Sequence, residues 1–305
     1  MGIPTSQLER WTSYETAAIS SAQDTHEHIR DNLEASSSCL NDRDIEFDTL
    51  LQGSYANDTI IRDSSDVDIL VRLRDPFKAN KDELSDSEID QFYQRGHYKA
   101  REDYDYTAFR TDVLNELEDI YGQTAVNEGN NAIEVEASTL PLDADVVPVQ
   151  EYRYYNQYSG YDNDYDYIEG IIFWPQDGGS IRNYPEQHMS KATSKHQNTS
   201  NRYKPTVRMF KNARNRMDEN GIFDKGDAPS YYIECLLWNV PNHVIDTNKL
   251  RTRYTEVVDY LSDDDFEDYR QQHDLLDLFG FGKTKWSTSD ANSFVDGLAD
   301  LWETW

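Results

Sequence analysis

The 305-residue sequence predicts an α+β fold: a mixed sheet flanked by helices over residues 1–175, followed by a helical lobe over residues 176–305. Three observations carry this expectation. Apolar runs of strand length recur between about residues 45 and 149, interleaved with helical periodicity. The stretch "GSYANDTIIRDSSDVDILVRL" (53–73) sets two aspartates, Asp66 and Asp68, in an otherwise apolar strand. From Tyr184 onward the pattern is helical to the end, with no internal repeat.

Residues 5 to about 36 carry Leu8, Trp11, Tyr14, Ala18, Ile19 and Ile29 at near-helical spacing. They read as one helix that braces the first domain and ends before "ASSSC". Strands are expected near 45–51 and 66–73, then an acidic irregular stretch, "RDPFKANKDELSDSEID", and a helix near 103–121. Strands near 132–137 and 140–149 complete the sheet. The tract "YRYYNQYSGYDNDYDY" (152–167) reads as a solvated loop, because "IEGIIFWP" resumes an apolar pattern after it. The second domain contributes helical segments from Tyr184 to Phe223 and in "PSYYIECLLWNVPNHV", with further helices near 249–262 and 290–302.

The formal net charge is −29, from 58 acidic against 29 basic residues, with Asp well ahead of Glu and Arg ahead of Lys. That balance is the signature of a halophile, since at molar salt the Debye length shrinks to about 3 Å and a crowded acidic surface stops repelling itself. Twenty-one Tyr, eleven Phe and six Trp argue against a disordered acidic chain. The charge also argues against duplex nucleic acid as a partner, which requires a basic surface. Cys39 and Cys235 are the only cysteines and form no C-x-x-C pair, which excludes a disulfide scaffold and a zinc ribbon and fits a reducing compartment. The opening "MGIPTSQLERW" has no basic, apolar leader pattern, and no run reaches the roughly twenty apolar residues of a membrane span. A soluble cytoplasmic protein without a membrane partner is expected.

Burying a carboxylate without a partner costs several kcal/mol, so the aspartates of "DVDILV" call for a cation or a reaction. Strand alternation puts Asp66 and Asp68 on one face and Val67, Ile69 and Val71 on the other. Such a pair suits Mg²⁺ shared with substrate phosphates; a half-exposed edge strand with solvated aspartates is the plain alternative. Upstream, Gly53 and Ser54 form a tight turn into a short helix from Tyr55, offering N–H groups and a hydroxyl to a phosphate.

This order, G-S, about ten residues, then D-x-D, resembles the nucleotidyltransferase superfamily of DNA polymerase β. The resemblance implies a polymerase β-like palm and a third carboxylate from a later strand, for which "TLPLDADVVPVQEY" (139–152) offers Asp143 and Asp145. Periodicity cannot separate these two; the D-x-V-P pattern of the family favours Asp145. It further implies that Asp66, Asp68 and Asp145 are catalytic and hold two Mg²⁺ ions, with Mn²⁺ as the alternative. One ion would activate the attacking hydroxyl and the other steady the leaving pyrophosphate, the two about 4 Å apart. Gln52, Gly53 and Ser54 are the expected nucleotide contacts on this side.

Four of the eleven lysines lie in 191–211, joined by Arg202, Arg208, Arg214 and Arg216, with no acidic residue between Lys191 and Arg216. Such a basic stretch is expected to face the metal carboxylates and neutralise a triphosphate. Lys211 in "VRMFKNARN" and, nineteen residues on, Ser230-Tyr231 in "APSYYIECLLWNVP" resemble the second lobe of oligoadenylate synthetases and cGAS-like enzymes. There the Lys and Ser contact the triphosphate and the Tyr stacks on a base. With "NYPEQH" and "RYKPTVRMFKNAR", these segments resemble the CD-NTases, the cGAS/DncV-like nucleotidyltransferases of CBASS anti-phage operons, over about residues 45–245.

The resemblance implies synthesis of a cyclic di- or trinucleotide from NTPs with release of pyrophosphate. The product would activate a separate CBASS effector, and accessory regulatory proteins are further candidate partners. Two other readings compete: a minimal nucleotidyltransferase that modifies a protein or tRNA, and a non-catalytic nucleotide sensor. His188 and His196 lack metal-ligand spacing and are expected at the surface or behind the contacting residues. Proton removal from the attacking hydroxyl falls to Asp145.

Overall fold

Strand pairing begins where the sequence alternates most clearly. β1 (Glu46–Leu51) pairs antiparallel with β2 (Val67–Asn80), and β2 pairs parallel with β5 (Ala144–Tyr158). On its other side β5 pairs antiparallel with β4 (Ile133–Val135) and then β6 (Tyr165–Phe173); β3 (Val126–Glu128) and β7 (Ile181–Asn183) extend the sheet from β4 and β6. The computed structural model describes residues 2–13, 16–61, 66–94, 104–158 and 165–305. The parallel β2–β5 pair needs a long crossover, and the chain between them holds α4 (Asp86–Gln94) and α5 (Tyr106–Tyr121).

By packing, the chain forms two units that a single cut at 175/176 does not reproduce. One comprises Ala17–Gln52 and Ser65–Glu186, which hold the sheet. The other comprises Met1–Thr16, Gly53–Ser64 and Gln187–Trp305. The expected N-terminal brace is accordingly two helices, α1 (Thr5–Thr12) and α2 (Thr16–Leu33). α1 buries Leu8 and Trp11 in the helical core. α2 buries Ala22, Thr25, Ile29 and Leu33 at helical spacing, and Thr25 both donates to and accepts from the backbone of Leu142, fixing the approach to β5.

Two stretches expected to be irregular are ordered. β2 runs on to Asn80, with its register broken between Leu73 and Lys78 around Pro76, which has no N–H to give the ladder. The Tyr/Asp tract is not a solvated loop where it is described: β5 continues to Tyr158 and β6 starts at Tyr165, with 159–164 outside the described residues. Tyr155 and Tyr158 pack edge-on against Phe92 at 5.3 and 5.4 Å. The register shift between Tyr155 and Gln157 brings both rings to one cluster, as an extra residue in a strand does.

The helical unit holds α3 (Gly53–Ala56), α6 (Pro185–Asn198) from Gln187 on, α7 (Tyr203–Glu219), α8 (Ser230–Asn239), α9 (Asn242–Ile245), α10 (Leu250–Ser262) and α11 (Thr288–Thr304). Its core includes Val207, Phe210, Leu236, Tyr254 and Leu298, and Tyr254 stacks between Phe210 and Trp302 at 5.2 Å from each. Among the described residues no helix is long and apolar enough to cross a membrane.

Candidate active site

In the sheet unit, Val67, Ile69 and Val71 are fully buried while Asp68 between them is half-buried, so the alternation sends the carboxylate to the opposite face. Asp68 lies directly beside Asp145 in the parallel β2–β5 pairing, and Glu134 lies beside Asp145 from β4. Asp66 is exposed, one residue before β2. The Asp145 carboxyl is pushed above its ordinary value by burial first, then by Asp66, then by Glu134. All three causes disfavour its charge and no cation is among them.

The arginines farther along the same strand face serve other carboxylates. Arg72 donates to Asp48 at 2.9 and 2.6 Å and to Glu169, and Arg74 pairs with Asp48 at 3.0 Å and Glu151 at 3.2 Å. Leu70 and its β5 neighbour Val147 form an apolar step between that network and the aspartates. Asp143 sits exposed just before β5, its carbonyl accepting the Val67 N–H at 2.9 Å. The register thus distinguishes two residues that periodicity leaves equivalent: Asp145, not Asp143, is the direct neighbour of Asp68.

Among the described residues, no three Asp, Glu, His or Cys side chains form a ready-made metal cage. Mg²⁺ does not need one, since it is commonly held by one or two carboxylates together with substrate phosphates. The Asp68/Asp145 pair, side by side on β2 and β5, fits that kind of site.

In the helical unit, Gly53 takes φ +71°, a left-handed conformation that favours glycine, and starts the single turn of α3 with Ser54 half-buried and Tyr55 buried. Just before it the Gln52 N–H donates to the Asp68 carbonyl at 2.9 Å, closing the β1–β2 ladder. The Thr59 N–H returns to the Ser54 carbonyl at 2.9 Å. Three cations at i, i+4 and i+7 of α7 then grip this segment. Lys204 Nζ donates to Asp58 Oδ2 at 2.8 Å, Arg208 Nη1 to the Asp58 carbonyl at 2.5 Å, and Lys211 Nζ to Thr59 Oγ1 and O at 3.2 and 3.3 Å.

Lys211 Nζ also donates to Glu234 Oε1 at 2.5 Å, and Glu234 Oε2 meets His188 Nε2 at 3.1 Å. The His188 ring stacks on Tyr231 at 5.3 Å with 21° between planes. The Tyr231 hydroxyl donates to Gln271 at 2.8 Å, and Ser230 Oγ accepts from Arg214 at 3.3 Å.

The nucleotidyltransferase domain family matches residues 39–151, and the C-terminal helical domain of the cGAS/DncV-like nucleotidyltransferases matches residues 190–303. A cyclic UMP-AMP synthase of Rhodothermus marinus is 38% identical over 308 residues, covering 100% of this chain and 99% of that protein. This chain belongs to the CD-NTases. The CD-NTase is also 33% identical to the cyclic nucleotide synthase CdnE01 of Staphylococcus haemolyticus over the full length of both. The solved structure of the Rhodothermus marinus CdnE c-UMP-AMP synthase with Apcpp and Upnpp matches it with a TM-score of 0.85 at 36% identity, covering 99% of this chain and 97% of the other. The Elizabethkingia meningoseptica CdnE structure with GTP and Apcpp gives 0.76 at 26% identity, with 98% of each covered. The fold is polymerase β-like, and the protein is a nucleotidyltransferase enzyme.

Much of the basic stretch, expected to face the metal carboxylates and neutralise a triphosphate, is engaged by groups of the chain itself. Lys211 is 1% exposed, with Glu234 and Thr59 as its partners. Lys195 is buried on the Val240 carbonyl, and burial lowers its pKa to about 8. Lys204 and Arg208 hold the Asp58 segment, and Arg202 pairs with Asp246. Sequence reasoning missed Glu234, to which Lys211, His188 and Thr59 all turn. The signal was present, since Glu234 sits in "YYIECLLW", an acidic side chain in an apolar helix much as Asp66 and Asp68 sit in an apolar strand. His188, expected at the surface or in support, is buried and supports Tyr231.

Proposed function

We propose that this CD-NTase joins NTPs into a cyclic oligonucleotide, releasing one pyrophosphate for each bond made. The reading rests on Asp145 standing beside Asp68 on adjacent strands, in a chain similar from end to end to proteins named as cyclic nucleotide synthases. A nucleotide sensor would gain nothing from a carboxylate held against both burial and like charge.

In this reading a ribose hydroxyl of one nucleotide attacks the α-phosphorus of another, and the bond to the pyrophosphate breaks. A second such step, within the joined product, closes a dinucleotide ring. The Asp145 carboxylate takes the hydroxyl proton. Asp66, Asp68 and Asp145 would hold two Mg²⁺, or Mn²⁺, which supply positive charge to the reacting phosphate and leaving group. Gln52, Gly53 and Ser54 contact phosphate, Ser230 assists at the start of α8, and Tyr231 stacks on a base. Lys211 acts one step back, through Thr59 and Glu234.

The bases differ among the relatives, which are named for cyclic UMP-AMP, dipyrimidine, GMP-AMP and dipurine products. Base choice in this reading belongs to the walls of the site rather than to the fold. We place the product as a signal to a separate effector in cytoplasmic CBASS anti-phage defence. Incubation with all four NTPs, Mg²⁺ and molar KCl, followed by mass spectrometry, is expected to show a cyclic product with matching pyrophosphate. Nucleotide attached to added protein or tRNA, or no turnover of any NTP, would overturn the proposal.

A further inference from the structure

The chain between α10 and α11 presents Phe281 with its whole surface in solvent, at 105% of its reference area; no other large apolar side chain among the described residues exceeds 56%. A lone exposed apolar residue needs no explanation by itself. Its setting is more specific. Gly280 and Gly282 flank it at φ +136° and +118°, conformations left to glycine, so the chain reverses sharply around this one ring. The stem beneath is rigidly built. Phe279 stacks between Phe266 at 5.3 Å and Trp286 at 5.8 Å, and backbone bonds join Leu278 to Tyr269 at 2.8 Å and Trp286 to Leu278 at 2.9 Å.

The stem is also bonded to the aromatic pair of α8. Gln271 accepts from the Tyr231 hydroxyl at 2.8 Å and donates to the Thr284 carbonyl at 2.9 Å, three residues from Phe281. Tyr232 stacks on Trp286 at 5.6 Å with 6° between planes, and its hydroxyl donates to the Lys285 carbonyl at 3.4 Å. Charge points the same way. Between Asp277 and Asp290 the chain carries Lys283 and Lys285 and no acidic residue, in a protein of net charge −29.

We propose that Phe281 is a second nucleobase contact: it stacks on a base of the NTP or joined nucleotide held at Tyr231, with exposed Lys283 beside it favouring the phosphates. The inference rests on the reading of Tyr231 as a base-stacking residue. A base fits this place better than a protein side chain because the ring is presented singly, on a basic tip, from a frame shared with Tyr231.

The test uses the full-length protein with Phe281→Ala, Phe281→Trp and Tyr231→Ala, and measures the affinity of non-hydrolysable ATP, GTP, CTP and UTP analogues together with the melting temperature. Phe281→Ala is expected to weaken binding about tenfold, unequally across bases, without moving the melting temperature, and Phe281→Trp to restore it. If Tyr231→Ala weakens binding while Phe281→Ala binds all four analogues as the parent does, the proposal is overturned and the reading of Tyr231 stands. If neither weakens binding, both fall. Unchanged nucleotide affinity with an altered elution volume in size-exclusion chromatography would assign Phe281 to contact with a second copy of the chain and overturn the proposal.

Discussion

Asp145 and Glu234 are both carboxylates set among apolar neighbours, and their surroundings drive them in opposite directions. Burial, Asp66 and Glu134 all raise the Asp145 pKa. Burial also acts to raise Glu234, but the Lys211 ammonium and His188 more than offset it and hold the carboxyl well below the ordinary range. Replacing Asp68 and Asp145 together with Asn should abolish pyrophosphate release while the melting temperature stays level or rises, because repulsion is relieved. Retained pyrophosphate release would remove the catalytic assignment.

Lys211→Met should instead cost about 3–5 kcal/mol in denaturant titration, leaving Glu234 charged and buried. Combining it with Glu234→Leu should recover much of that loss. A variant that loses NTP affinity at unchanged stability would return Lys211 to the triphosphate. The depressed Glu234 pKa stabilises the fold fully above the unfolded value of 4.5 and loses that stabilisation as pH falls toward the folded value. Stability measured as pH falls from about 5 to about 3 should therefore drop more steeply in the parent than in Glu234→Gln.

At the scale of the element, α7 carries a basic stripe whose partners lie in its own chain. Lys204, Arg208 and Lys211 share one helical face, which sequence periodicity does convey. It does not convey that the face is spent on Asp58 and Thr59 of the chain's own segment after Ser54. The stripe holds the segment that follows the Gly53-Ser54 turn. Arg208→Ala should accelerate hydrogen exchange of the Thr59 amide, which bonds to the Ser54 carbonyl, and leave the β5 amides unchanged. Uniform acceleration across both units would mean that Arg208 serves global stability instead. The β5–β6 hairpin carries the converse lesson: a tract rich in Tyr, Asp and Asn looked solvated by composition, yet Tyr152, Tyr155 and Tyr158 are buried. Tyrosine can bury its ring on a strand while polar neighbours face water.

For the whole molecule, the net charge of −29 is the dominant long-range term. Self-repulsion on that scale opposes a compact state at low ionic strength, and screening weakens it. The melting temperature is expected to climb steeply with KCl toward molar concentrations. A midpoint indifferent to salt would remove the halophilic reading.

The sequence by itself determined the α+β class, the G-S and D-x-D elements, the two candidates for the third carboxylate and the α7–α8 segments that mark the family. These signals are local: each lies within one turn, strand or helix, so spacing along the chain carries it. Only the tertiary structure decided that Asp145 rather than Asp143 stands beside Asp68, because that depends on the register of strands whose paired residues are far apart in the chain. It likewise decided the fate of the basic stretch, since Lys211 finds Glu234 on another helix and Lys204 finds Asp58 across a separation of 146 residues. The two packed units are interleaved along the chain for the same reason. Periodicity says which side chains share a face, whereas what that face meets is settled when distant segments bury their charges together.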